Sequence, residues 1–185
     1  MDKQILDVIH NKIKSIWLEK IKHDYEYGWL LKEDTLKNAL YYYLRSELTD
    51  FFEENNIRVF TEFTYGEFKD SKMRPDMVIA EVDFENEDVS YYGDQVKKSL
   101  AVIEIKYKSK DAVDTIYDDY DKLKEYINTL GMSAHLYMAT IWESFDKPTT
   151  WIRKNAAWAK GQVTELNASY IEGTEHEPQF YVYEH

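Results

Sequence analysis

The chain has 185 residues, 44% apolar and 16% aromatic, which is enough for one globular domain with its own core and too apolar for a disordered segment. Cysteine is absent, which excludes disulfides and thiolate metal sites, and no apolar run approaches the ~20 residues of a membrane span. A net charge of −12 argues against a surface that grips nucleic acid over a broad area.

The opening Met1-Asp2-Lys3-Gln4 carries no secretory pattern, so a cytoplasmic protein is expected. Ile5, Ile9, Ile13 and Ile16 recur at helical spacing and predict an amphipathic helix over about residues 3–22, with Gly28 as punctuation beyond it. A second, longer helix is predicted from Glu33 to Glu53, with Leu36, Ala39, Leu40, Tyr43, Leu44, Leu48 and Phe51 on one face. Alternation then predicts a strand over 57–65, a second over 74–84 and a third over 100–108, with a polar connection at 85–96 between the last two. Ile116, Tyr120, Leu123, Ile127 and Leu130 mark another helix, with Gly131 as its C-cap, and residues 134–142 read as a fourth strand. In the tail, Lys147-Pro148 starts a short helical stretch that would set Trp151 and Trp158 on one face, capping the core or stacking on bases. Residues 163–171 and 180–183 read as two further strands, and nothing marks a domain boundary or a repeat. The five histidines (His10, His23, His135, His176, His185) lack ligand spacing, so no zinc site is expected, and Asn167-Ala168-Ser169 is an idle glycosylation match in a cytoplasmic chain.

The most informative residues are charges inside apolar strands. Asp76 directly precedes Met77-Val78-Ile79-Ala80, and Glu104 interrupts the apolar run from Leu100 to Ile105. A carboxylate in a buried strand costs several kcal/mol unless it is paired or bound to a metal. Strand alternation puts Glu104 and Lys106 on one face, with Ile103 and Ile105 on the other. If the two strands are neighbours, Asp76, Glu104 and Lys106 converge. The chain also supplies controls: Glu67-Phe68-Lys69 and Asp70-Ser71-Lys72 have the same acid-x-Lys spacing, but they sit in a polar stretch beside Gly66 that reads as a turn. The plain alternative for Glu104 and Lys106 is a salt-bridged strand.

Pro75-Asp76 followed by Glu104-Ile105-Lys106 resembles the P-D…(D/E)-x-K signature of the restriction-endonuclease-like nuclease superfamily. The resemblance spans about residues 33–141 in element order, and its residue-specific part is the five positions just named. It implies an α/β fold in which a restriction-endonuclease-like core at about 32–142 has a central mixed four-stranded sheet flanked by helices in the order αβββαβ. The N-terminal helix and the C-terminal strands would then be additions to a single domain over 1–185. It also implies a Mg²⁺ or Mn²⁺ site held by Asp76, Glu104 and the Ile105 backbone carbonyl. Lys106 would position or deprotonate the attacking water and stabilise charge on the phosphate.

Many members place a glutamate on the first core helix to complete the metal shell. Glu33 and Glu47 both project onto the apolar face of the long helix, but they are ~21 Å apart and cannot reach one ion. Glu33 is chosen, since it stands at the helix start; its plain alternative is an acid favoured by the helix dipole. Glu47 would pair with an arginine such as Arg58, and Glu62 is a third candidate with an edge ion pair as its alternative. Asp119, Lys122 and Leu123 look like a D-x-x-K-L pattern some members carry, which also reads as a surface ion pair at i, i+3. Lys97, Lys98, Lys106, Lys108 and Lys110 cluster around the third strand, and Arg153, Lys154 and Lys160 form a smaller group that reads as a solvated face. The expected function is therefore hydrolysis of phosphodiester bonds, in DNA first, by a protein that could act as a homodimer or with a partner protein. Two other readings stay open: an inactive descendant of the fold that binds a partner, and an acidic DNA mimic or immunity-type protein.

Overall fold

A computed structural model describes residues 3–84, 91–108, 114–130, 134–143, 150–153, 156–170 and 178–185, except that no side chain is described at 114–116 or 129–130. The expected caps and connections at Gly131, Lys147-Pro148, Lys110, Lys154 and much of 85–96 lie outside these residues.

The first helix is longer than its isoleucine spacing suggests. α1 (Lys3–Ser15) runs through a π-helical turn (Ile16–Ile21) into α2 (Lys22–Glu26), burying Ile9, Ile13, Ile16, Trp17 and Ile21. It stops at Gly28, whose φ of +71° only glycine adopts without cost. The Gly28 N–H donates to the Tyr25 carbonyl and the Trp29 N–H to that of Asp24, the paired bonds of a Schellman C-cap. α3 (Glu33–Glu54) buries Leu36, Leu40, Leu44, Leu48 and Phe52, one residue per turn. The Thr35 hydroxyl accepts from the N–H groups of Leu31 and Lys32 and fixes the start of this helix.

The strands are β1 (Ile57–Thr61), β2 (Met77–Val82), β3 (Val96–Lys108), β4 (His135–Trp142), β5 (Val163–Tyr170) and β6 (Pro178–Glu184). α4 (Asp114–Leu130) joins β3 to β4. The observed β1 and β2 are shorter than expected, whereas β3 starts four residues earlier, at Val96 instead of Leu100. The expected four-stranded sheet is corrected: all strands form one six-stranded mixed sheet in the order β1-β2-β3-β4-β5-β6. The β3–β4 and β4–β5 pairs are parallel and the others antiparallel. The two C-terminal strands thus extend the sheet rather than standing beside it. The helical stretch expected near Trp151 is also corrected, because 150–153 and 156–162 contain only bends and turns where described.

Helices cover both faces of the sheet. On one face, α1, the π turn and α3 pack on Ile57, Val59, Met77, Ile79, Ile103, Ile105 and Tyr107. On the other, Tyr120, Leu123 and Tyr126 of α4 pack against Val78, Val102, Leu136, Met138 and Trp142. Among the described residues no helix is long and apolar enough to cross a membrane.

Candidate active site

β2 and β3 bring the two halves of the motif together. Met77 pairs with Ile103 and Val78 with Val102, so Asp76, one residue before β2, lies across from Glu104. Val78 and Val102 both face α4, and Asp76 and Glu104 share their strand parity, which puts the two carboxylates on that same face. The Ile105 N–H donates to Asp76 Oδ2 at 2.8 Å, locking the start of β2 onto the motif's second half.

Glu104 is 1% exposed. Its Oε1 accepts from the Tyr126 hydroxyl, and Lys122 Nζ stands 3.4 Å from its Oε2. Burial first, and the Asp76 charge second, push its carboxyl up to about 8, so near neutral pH much of it holds a proton. Burial also raises Asp76, against which the Ile105 N–H pulls downward; Glu33 adds to the rise.

Lys106 is held on two sides. Its Nζ is 2.7 Å from Asp119 Oδ2 and 3.5 Å from Glu33 Oε2. Burial alone would lower its pKa, but the bond and charge of Asp119, joined by Glu33, outweigh burial and raise it. At neutral pH Lys106 is therefore an ammonium that can orient a water or neutralise a phosphate, rather than a free base.

Glu33 accordingly stands on the Lys106 side. Glu47 does not: it pairs with Lys12 at 3.0 Å and Lys20 at 3.9 Å on the N-terminal helix. Its expected partner Arg58 instead donates to the Ile57 and Phe52 carbonyls. Glu62 has a positive φ of 50° and pairs with Lys37, whose Nζ is also 3.9 Å from Asp76 Oδ1. The reading of Asp119 and Lys122 as a surface pair is corrected. Asp119 is 3% exposed and bridges Lys122, 2.6 Å from its Oδ1, to Lys106.

Lys37 and Tyr126 were not singled out by sequence. Tyr126 lies seven residues after Asp119 and four after Lys122, so one flank of α4 carries all three, a pattern visible once that flank is known to face β3. Acids neutralise much of the basic cluster expected on β3. Lys97 pairs with Asp83 at 3.1 Å, Lys98 is 4.0 Å from Glu81, and Lys106 is internal.

Among the described residues no three His, Asp or Glu side chains are arranged to hold a metal ion. Mg²⁺ does not require three, because it commonly takes one or two carboxylates and keeps several waters. Asp76 and Glu104 each have an oxygen whose cationic neighbour is a lysine: Lys37 at Asp76 Oδ1 and Lys122 at Glu104 Oε2. The donor chemistry suits a hard divalent ion that would replace the charge of those lysines. No protein-family model matches this chain, and neither does any curated protein or solved structure.

Proposed function

We propose that the chain is a metal-dependent nuclease that hydrolyses phosphodiester bonds, in DNA first, and that residues 32–142 are a restriction-endonuclease-like core. The observation that carries this reading is the meeting of two carboxylates on adjacent strands with a lysine two residues beyond the second. Asp76 bonds to the backbone within Glu104-Ile105-Lys106, and Lys106 is held by Glu33 and Asp119. An ordinary salt-bridged strand gives no reason to bury Glu104 beside Asp76, whose charge makes Glu104 harder to ionise.

In this mechanism Asp76, Glu104 and the Ile105 carbonyl would hold Mg²⁺ or Mn²⁺, with Glu33 as the outermost candidate. The ion, when bound, polarises the phosphate and acidifies a water. Asp119 holds the Lys106 ammonium in place. Lys106 orients the attacking water and offsets charge developing on the phosphate oxygens. Lys122, pulled from Glu104 by Asp119, is the second cation available to the substrate backbone. The excess of 35 acidic over 23 basic residues makes binding weak and salt-sensitive.

The test is cleavage of a panel of linear, branched, duplex and single-stranded DNA and RNA with Mg²⁺ or Mn²⁺. Activity is expected with some member, abolished by chelator and by Lys106→Ala. A second reading, a partner-binding descendant without cleavage, draws on the lysines already beside both carboxylates. An intact panel together with no Mn²⁺ binding by calorimetry would make it the better account.

A further inference from the structure

A cleft of about 780 Å³ lies on the opposite flank of α4 from the candidate site, within the ~300–1,000 Å³ range of small-ligand clefts. Tyr117, Tyr120 and Lys124 of α4 form one wall, and Trp151, Arg153 and Trp158 the other. Both walls are fastened to one buried group. Glu165, 0% exposed, accepts from the Tyr120 hydroxyl at 2.5 Å and from the N–H groups of Trp151 and Ile152 at 2.8 and 3.3 Å. Trp151 is in turn stacked on Trp142, centroids 4.8 Å apart and planes 6° from parallel, with Tyr117 edge-on at 6.0 Å. The aromatic platform is therefore built in advance rather than assembled on binding.

The charge of the cleft departs from that of the molecule. Its ionisable lining is Lys124, Arg153 and Asp121, so basic groups outnumber acidic ones in a chain of net charge −12. Lys124 pairs with Asp121 at 2.5 Å and lies 5.5 Å over the Trp158 ring, so a cationic guest would meet a cation already in place. Stacking surfaces with basic groups beside them suit a planar base attached to a phosphate. The cleft and the candidate site also share a helix: Asp119 and Lys122 face Lys106 and Glu104, while Tyr117, Tyr120 and Lys124 face the cleft. A helix is ~10–12 Å across, so a strand crossing α4 could occupy both.

We propose that this cleft binds an unpaired base of single-stranded nucleic acid whose backbone passes the Asp76–Glu104–Lys106 site, making substrates with single-stranded segments the preferred class. The proposal rests on the nuclease reading for what happens to that strand, but the binding itself can be measured separately. Non-cleaving Lys106→Ala protein is titrated with a labelled thymidine oligonucleotide about 12 nucleotides long and with a duplex of equal length. The single strand is expected to bind more tightly and to quench tryptophan fluorescence. Adding Tyr117→Ala and Arg153→Ala is expected to weaken single-strand binding about tenfold. Tyr117 is 51% exposed and Arg153 is exposed, so the fold should survive, which an unchanged melting temperature would verify. In the Lys106-containing protein the same pair should raise KM on single strands more than it lowers kcat.

Equal binding of single strand and duplex, or single-strand binding indifferent to the two substitutions, overturns the proposal. So does capture of a proline-rich peptide in place of the oligonucleotide. If duplexes are cleaved and the substitutions change nothing, the cleft assignment falls and the nuclease reading stands. Cleft-dependent single-strand binding without cleavage of any substrate leaves the cleft standing and removes the nuclease reading.

Discussion

The two faces of the sheet bury very different things. Strand β3 shows it within a few residues: Ile103, Ile105 and Tyr107 sink into the leucine stripe of α3, while Glu104 and Lys106 turn the other way, towards α4. On the α3 side the core is mainly apolar, with Leu36, Leu40, Leu44 and Leu48 stacked along one helix, and its hydrogen bonds come from aromatic side chains such as Tyr25 and Tyr107 at its margin. On the α4 side the protein buries Glu104, Asp119 and Glu165, each satisfied by named donors or ammonium groups. Apolar burial tolerates approximate partners, whereas a buried carboxylate without its partner costs several kcal/mol. The α3 face sets how stable the fold is; the α4 face sets where charges stand, which is what chemistry needs.

That division can be broken most sharply at Lys106. Lys106→Ala is expected to lower cleavage by at least ~10²-fold and to lower the melting temperature as well, because it takes from the buried Asp119 one of its two ammonium partners. On the proposed reading, Asp76→Ala should lose activity and also any thermal stabilisation by Mn²⁺, because it would remove a ligand. A matched change on the other face, Leu40→Ala, should cost about 2–5 kcal/mol and lower the melting temperature by roughly 10 °C, leaving per-molecule activity intact below the transition. Asp119→Asn lies between the two, since it loosens the hold on Lys106. Turnover should fall about tenfold with KM little changed, as measured by steady-state kinetics.

The pH dependence sharpens the comparison further. Glu104 titrates near 8 in the folded chain and far lower when unfolded, so between those values the native state holds the extra proton. Stability contributed by this group is then fullest at acid pH and is lost as pH rises through about 8. Thermal melts of Glu104→Gln should be flatter than wild type from pH 5 to 9 and higher at the alkaline end. A wild-type melting temperature that climbs over that range would contradict the burial argument. The smallest effect is reserved for the remote acid: Glu47→Ala, which only frees Lys12 and Lys20, should change stability by less than ~1 kcal/mol and activity not at all.

Sequence made the α4 face partly legible, because ionisable groups inside apolar strands have few explanations. Asp76, Glu104 and Lys106 could be named, and the alternation of β3 assigned them a face. Asp119 could not be separated from a solvated pair, since i, i+3 spacing on a helix looks the same whether the flank meets water or a strand. Burial is decided by what the helix packs on. The tail failed for a related reason: Trp151 and Trp158 have helical spacing, yet their partners, Trp142 on β4 and Lys124 on α4, belong to other elements, so the spacing does not report a shared helical face. The strand character of β5 and β6 could be read locally, whereas their joining one continuous sheet depends on long-range pairing that no local pattern encodes.

The π turn at Ile16–Ile21 has a consequence of its own. A turn closed by i→i+5 bonds takes up an additional residue, so apolar residues that recur every four places, Ile9, Ile13, Trp17, Ile21 and Tyr25, stay on one face instead of drifting around the helix. The turn behaves as a phase corrector between two sections of helix whose apolar stripes are out of step. Deleting one of its exposed residues, such as Glu19, would let the helix close as a regular α-helix with Trp17 and Ile21 still facing inward, whereas deleting a residue outside the turn, between Ile9 and Ser15 or between Lys22 and Tyr25, would rotate one half of the stripe into water.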